Sequence, residues 1–122
     1  MAGVTHKAIL RAANRKTIES FRDLQSGWNG GSGDPVPDSV IERALRIVRN
    51  LPFQRMDIFP TGRKSIQLEF DRGSDSLEVE IAENNAYILY ANDTDETYHE
   101  HDIVTDDEIV TVITHFHEQR DR

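Results

Sequence analysis

The sequence predicts an α+β fold with two N-terminal helices, an antiparallel meander sheet of four to five strands, and one C-terminal helix packed on one sheet face. Three observations predict this class. Apolar residues recur with helical spacing near both ends of the chain, they alternate with polar residues in between, and turn residues separate the alternating segments. Helices that flank a run of strands are typical of α+β proteins, in which they pack on the sheet.

Two helices are predicted before the strands. The first covers residues 6–25, where apolar residues recur three and four apart around a polar middle. The second begins at Asp38 or Ser39, since Ser39 and Glu42 have the spacing of a capping box, and it stops at Pro52.

Alternating segments follow and predict the sheet. In chain order they read MDIFP, SIQLEF, SLEVEI, AYILY and ETYHEHD. In SIQLEF and SLEVEI every second residue is apolar, so one face of the sheet is apolar and the other is acidic and solvated. AYILY is apolar on both faces, as in a more central strand, and ETYHEHD is polar, as in an edge strand. Glu69, Glu78 and Glu80 are therefore expected on the acidic outer face.

A last helix is predicted after Thr105, which has capping-box spacing to Glu108. Its apolar stripe consists of Ile109, Ile113 and Phe116. We expect one domain over residues 1–122, with flexible ends at about 1–5 and 119–122.

Charge is distributed unevenly along the chain, whose formal net charge is −8. Residues 1–55 carry nine Lys/Arg and five Asp/Glu, whereas residues 56–122 carry five and seventeen. An acidic half repels nucleic-acid phosphates and anionic membranes, so we expect neither as a partner. Two interpretations remain open: simple solubility, and attraction to a partner with a basic surface.

Several classes of protein are disfavoured by composition. Cysteine is absent, which removes disulfides, thiolate catalysis and thiolate zinc sites. No run of about 18 apolar residues indicates a membrane span, and the N-terminal stretch lacks the apolar region of a secretory signal. We expect a cytoplasmic protein. No nucleophile elbow and no positioned general base can be identified, so we expect neither an enzyme nor a cofactor.

The loop SGWNGGSGDP, residues 26–35, contains the single tryptophan and four of the seven glycines. It does not fit a phosphate-binding loop, because a helix precedes it and it has no lysine. We expect a structural loop that folds Trp28 against the first helix and the sheet. The alternative is a partly exposed Trp28 that anchors a partner.

The succession of GWNGGSGDPVP, a helix ending in LP, IFPTGRKSIQLEF and LEVEI over residues 20–82 resembles a widespread family of small bacterial proteins. The family has a Gly-Trp-Asp/Asn-Gly-x-Gly…Pro loop and a Pro-Thr-x-x-x-Ile-x-Leu-Glu-Trp/Phe strand. Here Asn29 stands where Asp is usual, Arg63 and Lys64 where Asp-Gly is usual, and Phe70 where Trp is usual. The resemblance implies a small accessory protein of toxin–antitoxin-like or phage-related contexts and assigns no catalytic residue.

Four of the five histidines lie late in the chain: His99, His101, His115 and His117. A His-x-His pair in a strand places both rings on one face, an arrangement that metals use. One helix histidine and an oxygen from Glu100 or Asp102 would complete such a metal site. The alternative is that these histidines are ordinary exposed residues of an edge strand and a terminal helix.

Three arginines, Arg43, Arg46 and Arg49, fall outside the apolar side of the second helix. They are a weak indication of nucleic-acid contact, because no aromatic residues interleave and the chain is acidic. Ion pairs with Glu42 or with acids of the sheet are the favoured interpretation.

These observations favour a small acidic protein-binding module that neutralises a partner protein by occluding a basic surface. The partner would be a toxin, as for an antitoxin or immunity protein, or a defence effector, as for a phage anti-defence inhibitor such as an anti-CRISPR. The expected contact residues are Glu69, Glu78, Glu80, Glu96, Glu100, Asp102 and Trp28. One alternative is a self-associating structural module, a homodimer formed through the sheet edge or the AYILY face. The other is a metal-dependent enzyme that uses the late histidines.

Overall fold

A five-stranded antiparallel sheet organises the chain, with α-helices packed on one of its faces. The computed structural model describes residues 6–51, 55–94, 96–103 and 105–118, so the expected flexible ends lie outside the described residues. In chain order the elements are α1 His6–Ser20, a 3₁₀ turn Phe21–Asp23, α2 Asp38–Arg49, β1 Asp57–Pro60, β2 Ile66–Arg72, β3 Asp75–Ile81, β4 Ala86–Asn92, β5 Thr97–Ile103 and α3 Asp106–Glu118.

The strands form a meander in the order β1-β2-β3-β4-β5. The structure thus confirms the α+β class and the antiparallel sheet. Each strand pairs with the next in a register that keeps apolar residues together: Leu68 lies opposite Val79, and Val79 lies opposite Ile88. Because side chains alternate along a strand, this register creates one continuous apolar face, called here the inner face.

The hydrophobic core lies between the inner face and the helices. Helix α2 packs on β2 and β3, α3 packs on β3 and α2, and α1 packs on α2 and β1. The fully buried side chains of α2 are Val40, Ile41, Ala44 and Ile47. Burying an aliphatic side chain of this size contributes about 1.5–3 kcal/mol, so this stripe holds α2 on the sheet.

Helix α1 is shorter than the predicted segment 6–25. It ends at Ser20 and continues as a 3₁₀ turn. Near this end the Thr17 hydroxyl donates to the Ala13 carbonyl at 3.0 Å, and the Ser20 hydroxyl donates to the Thr17 carbonyl at 2.6 Å. Such bonds from Ser and Thr to the preceding turn compete with the helical pattern and favour its end.

The two predicted capping boxes have different outcomes. The one at α2 is wrong, because Pro37 is the N-cap and the Ser39 hydroxyl instead donates to Glu83 Oε2 at 2.9 Å in the β3–β4 turn. At α3, the Glu108 amide donates to Thr105 Oγ1 at 3.2 Å and that hydroxyl donates to the Glu108 carboxylate at 2.8 Å. Here the local spacing correctly indicated the paired side chains.

Arg43 corrects the prediction of an outward arginine stripe on α2. It is buried, and its guanidinium donates to the carbonyls of Ala82 at 2.8 Å and Asn85 at 3.0 Å and to Asp106 Oδ1 at 2.7 Å. Arg46 reaches the same carboxylate at 3.5 Å. The arginine therefore joins α2 to the β3–β4 turn and to the start of α3, instead of facing nucleic acid.

The predicted ion-pair partners, Glu42 or acids of the sheet, are also wrong for Arg43. Its carboxylate partner lies on α3 and not on the sheet, and Glu42 is instead bound by Arg22 at 2.6 Å. A helical wheel predicts that a charged side chain faces solvent, because water solvates an unpaired charge better than the protein core does. A guanidinium is nevertheless buried readily where a carboxylate and carbonyls satisfy its donors.

A polar network closes the inner face beside the end of α3. Asp75 accepts hydrogen bonds from Arg72 at 2.9 Å, from the Tyr90 hydroxyl at 2.9 Å, and from Asn92. The hydrogen bonds from Asn92 and Tyr90 lower the pKa of Asp75. Arg72 also donates to the Phe116 carbonyl, and its guanidinium lies 4.6 Å from the centre of the Phe116 ring. The network therefore ties the last turn of α3 to the sheet.

Within the described ranges, no helix combines the length and the apolar character that crossing a membrane requires.

Candidate functional site

The face of the sheet opposite the helices is the candidate site, and we call it the outer face. None of its side chains is buried, whereas alternate residues of β2, β3 and β4 belong to the core. The outer face consists of Asp57, Phe59, Gln67, Glu69, Asp71, Ser76, Glu78, Glu80, Tyr87, Leu89, Ala91, Tyr98, Glu100 and Asp102. It therefore joins carboxylates from all strands except β4 to an apolar centre contributed by β4.

The strand register sets carboxylates beside that apolar centre. Leu89 lies between Glu78 on β3 and Glu100 on β5. Tyr87, one step further along β4, lies between Glu80 and Asp102. Directly opposite residues have Cβ atoms about 4.5–5.5 Å apart, so each apolar side chain is flanked by carboxylates on both sides.

Aromatic rings extend the apolar part toward both edges of the sheet. Phe59 on β1 is 37% exposed and Tyr98 on β5 is 64% exposed. Leu89 and Tyr87 are half-buried. Exposed aromatic side chains beside polar groups are typical of protein-binding surfaces, where they supply contact area with little loss of side-chain entropy.

Two arginines lie beside the outer face, one at each end of β1. Arg55, just before β1, lines a depression together with Asp57, Glu69 and Asp71, and Arg63 belongs to the β1–β2 turn. The Arg63 guanidinium binds Glu80 Oε1 at 2.9 Å, and the Ser65 hydroxyl donates to Glu80 Oε2 at 2.5 Å. Burial tends to raise the pKa of Glu80, but these hydrogen bonds outweigh it and lower the pKa. Residues 73–119 contain no lysine or arginine, so no cation of β3, β4 or β5 neutralises the other carboxylates.

Glu69 and Glu78 lie directly opposite each other on β2 and β3. Burial raises the pKa of Glu78, and the hydrogen bond and repulsion between the two carboxyl groups, with repulsion from Asp71, raise it further. Gln67 Nε2 donates to Glu69 Oε2 at 2.7 Å and so holds that carboxylate in place. The outer face is thus assembled against electrostatic repulsion, which an approaching cation would relieve.

Two of the predicted contact residues lie elsewhere. Glu96 belongs to the β4–β5 turn, where its backbone is left-handed with φ 55°. Trp28 belongs to the glycine-rich loop, and neither residue is part of the sheet. The structure brings together Glu69, Glu78, Glu80, Glu100 and Asp102, and it leaves these two apart from them.

Trp28 is half-buried and does not belong to the hydrophobic core of the described residues. Its indole nitrogen donates to the Asp34 carbonyl at 2.8 Å, and its ring lies against Gly33 and near Gly62 of the β1–β2 turn. A Cβ atom on Gly33 would lie 2.9 Å from that nitrogen, and φ 97° at Gly33 is left-handed. The predicted core position of Trp28 is therefore wrong: the ring stabilises the loop and joins it to the adjoining turn.

The late histidines are not assembled into a metal site. His99 and His101 lie on the inner side of β5, opposite Tyr90 and Ile88, and the His99 ring stacks on Tyr90 with centroids 6.3 Å apart. Glu100 and Asp102 point to the other face, so alternation along the strand contradicts their predicted role as oxygen ligands beside these histidines.

On α3, His115 is exposed and His117 is half-buried. Across the described parts of the chain, no three His, Cys, Asp or Glu side chains come together in a way that could hold a metal ion. The residues of the metal-dependent alternative therefore remain dispersed.

Sequence reasoning missed the apolar half of the site. Phe59, Tyr87, Leu89 and Tyr98 were not assigned to it, and neither was Arg63, which binds Glu80. A signal was present: AYILY is apolar on both faces, so its outward residues had to meet either a second layer or solvent. Register, which decides that Leu89 lies beside Glu78, depends on contacts between strands.

Comparison of the chain with protein-family models, with curated proteins and with solved structures found no match.

Proposed function

We propose that this chain is a protein-binding module that neutralises a partner by laying its outer face on a basic surface of that partner. Antitoxins, immunity proteins and anti-defence inhibitors act in this general way. One observation carries the proposal: the outer face combines carboxylates that outnumber the arginines beside them with exposed aromatic and aliphatic side chains, while α2 and α3 pack on the inner face.

The carboxylates provide steering and selectivity. Charges act over about 8 Å at physiological ionic strength, so a basic surface is drawn toward the acidic face before contact. On contact, a partner cation near Glu69 and Glu78 relieves their mutual repulsion, which already exists in the free protein. Partners with acidic surfaces are rejected by the same charges, which makes the interaction selective.

The apolar centre supplies affinity that charge alone does not. Tyr87 and Leu89 are half-buried on a rigid sheet and lose little side-chain entropy when they are covered. At one end of the face, Tyr87 and Asp102 line a depression of about 490 Å³ together with Glu80 and Arg63, which bind each other. A partner lysine or arginine on the Asp102 side of this depression would contact an aromatic ring and a carboxylate at once.

A second copy of this chain is a poor occupant of the outer face. Two such faces would oppose carboxylates to carboxylates, with Arg63 of each already bound to Glu80. Like charges that face each other directly are destabilising. The self-association alternative thus has electrostatic repulsion against it, and we expect a monomer at low salt by light scattering.

The test compares two double charge reversals with equal change in net charge. Glu100→Lys/Asp102→Lys alters the outer face, and Asp34→Lys/Asp93→Lys alters exposed residues of the glycine-rich loop and the β4–β5 turn. A partner is first identified by affinity capture from the organism that encodes the protein, and is then purified for direct titration. We expect the face variant to bind at least about tenfold more weakly, with the control near wild type.

Salt dependence adds a second readout on the same purified pair. Raising salt from about 50 to 300 mM should weaken wild-type binding more than binding of the face variant. Equal affinities for the face variant and the control, or a wild-type affinity insensitive to salt, would contradict docking through the acidic outer face.

A further inference from the structure

We propose that β5 is a docking edge, where an extended segment of the partner with lysine or arginine at alternate positions pairs as a sixth strand. The proposal rests on the proposed function, in which the partner surface is basic. It adds the binding mode: backbone hydrogen bonds along β5, with side-chain selectivity from the acids of the outer face.

The two edges of the sheet differ in how they are protected. β1 has four residues, ends at Pro60, and has α1 packed against it. β5 has seven residues without proline or glycine, and all seven pair with β4 in continuous register. Natural sheets blunt their edges by shortening them, by placing proline or charged side chains there, or by covering them with another element. β1 is short, ends in proline and has α1 beside it, whereas β5 has the charges of Glu100 and Asp102 but none of those three features.

The edge at β5 is also accessible from both sides. Helix α3 packs on β3 and α2, and the side chains from Thr97 to Asp102 are exposed on either face of the strand. Within the described residues β5 pairs with β4 alone. One row of its backbone amide and carbonyl groups is therefore directed outward, where a further strand would bond to it.

Charge decides which segment fits this edge. Glu100 and Asp102 lie on the outer side of β5, within residues 73–119, which contain no lysine or arginine. A strand with a basic residue at every second position would place all its cations on that side. Its intervening residues would lie on the side of His99 and His101, where small polar side chains fit the exposed surface.

The same charges disfavour a second copy of this chain at the edge. In a symmetric antiparallel pairing that keeps the faces aligned, Glu100 would lie opposite Glu100 or Asp102 of the other copy, unless the strands shift to bring it opposite Tyr98. Carboxylates that meet directly across strands repel. A basic segment faces no such conflict.

The outer face by itself is smaller than a typical protein–protein interface, so a partner would also contact surface beyond the sheet. Strands spaced about 4.8 Å apart and rising about 3.3 Å per residue give the outer face roughly 450 Å² in projection. A stable complex commonly buries about 800 Å² on each partner. A segment paired along β5 extends the same surface without a gap.

The experiment uses the whole protein and a short capped peptide of alternating lysine and threonine. In two matched peptides the backbone nitrogens are methylated, in one at the lysines only and in the other at the threonines only. Strand pairing directs the amides of one residue type toward β5 and those of the other toward solvent. Charge and composition are the same in both.

We expect one methylated peptide to bind like the parent and the other at least about tenfold more weakly, since it loses several hydrogen bonds. With the parent peptide, alternate β5 amides should become protected from hydrogen exchange, as followed by NMR. Glu100→Lys should weaken the parent peptide, and Asp93→Lys, in the exposed β4–β5 turn, should not.

Three outcomes would overturn the proposal. The methylated peptides could bind equally well, which shows attraction by charge without strand pairing and leaves docking by the outer face intact. The β5 amides could become protected as protein concentration rises without peptide, which identifies the occupant as a second copy. The parent peptide could leave all β5 amides unprotected at saturating concentration. Failure of the outer-face proposal is read separately, from the charge-reversal variants and the purified partner.

Discussion

The two faces of the sheet share strands, backbone and register, yet they serve different purposes. On the inner face Leu68, Val79 and Ile88 lie side by side, almost completely buried beneath the helices. On the outer face the neighbouring positions hold Glu78 and Leu89, and none of the side chains is buried. The inner face therefore supplies stability and the outer face is available for binding, so substitutions on the two faces should affect different measurements.

The largest difference should come from adjacent residues of β4. Ile88 is 1% exposed on the inner face, and Leu89 is half-buried on the outer face. Ile88→Ala should lower the free energy of unfolding by about 2–5 kcal/mol, because it leaves a cavity in the core. Leu89→Ala should lower it by about 1 kcal/mol or less and should weaken partner binding. Urea denaturation measures the first effect and titration the second; equal losses of stability would remove the distinction between the faces.

The next effect concerns the buried charge on the helix side of the sheet. Arg43→Ala should lower the free energy of unfolding by about 2–4 kcal/mol, because Asp106 and the carbonyls of Ala82 and Asn85 lose their donor.

Arg49→Ala, at an exposed position of the same helix, is the matched control and should change stability by about 0.5 kcal/mol or less. Thermal unfolding of both variants against wild type provides the measurement. A near-neutral Arg43→Ala would mean that α2 is held by its apolar stripe alone.

Two carboxylates of β3 should show opposite pH dependence. Hydrogen bonds from Asn92 and Tyr90 lower the pKa of Asp75, so its stabilisation is present above the ordinary pKa of an aspartate and is lost as pH falls through the lowered value. Burial and repulsion from Glu69 raise the pKa of Glu78, so its contribution favours folding at low pH and is lost as pH rises through the raised value.

Unfolding curves measured from about pH 2 to pH 7 test this contrast. Asp75→Asn should reduce stability near neutral pH and make it fall less on acidification. Glu78→Gln should increase stability near neutral pH by roughly 0.5 kcal/mol, because one of two opposed charges is gone. If both variants raise, or both lower, the free energy of unfolding near neutral pH, the opposite pKa shifts of Asp75 and Glu78 are contradicted.

The smallest effect on folding should come from the binding residues. Glu100→Lys/Asp102→Lys changes exposed side chains and should alter the free energy of unfolding by about 0.5 kcal/mol or less. Any loss of partner affinity then reflects the surface and not the fold. Circular dichroism with urea titration checks this, and a large loss of stability would show that β5 contributes more to folding than its exposure indicates.

Local patterns predicted the strands and their two faces well. SIQLEF and SLEVEI became β2 and β3, and the polar segment ETYHEHD became the edge strand β5. Alternation depends only on the geometry of an extended chain, so it survives whatever packs above the sheet. The same rule contradicts Glu100 as a metal ligand beside His99 and His101, because adjacent residues of a strand point to opposite faces.

Patterns were less informative where a side chain has its partner far away in the chain. Ser39 was expected to cap α2 but binds Glu83, 44 positions later. Trp28 shows the opposite: it was expected against the first helix and the sheet, but its ring lies on Gly33 of its own loop and near Gly62. Neither outcome can be read from residue type, because each side chain had a local and a distant partner available.

The sequence by itself determined that this chain has an antiparallel sheet with an apolar side and an acidic side, because a period of two can be read residue by residue. Only the tertiary structure decided that Arg43 turns inward to Asp106, 63 positions away, and that Leu89 lies between Glu78 and Glu100. It also decided that β1 has α1 beside it whereas β5 has an open edge. The physical reason is that alternation is a property of one strand, whereas burial of a charge, register and the covering of an edge depend on which segments folding brings together.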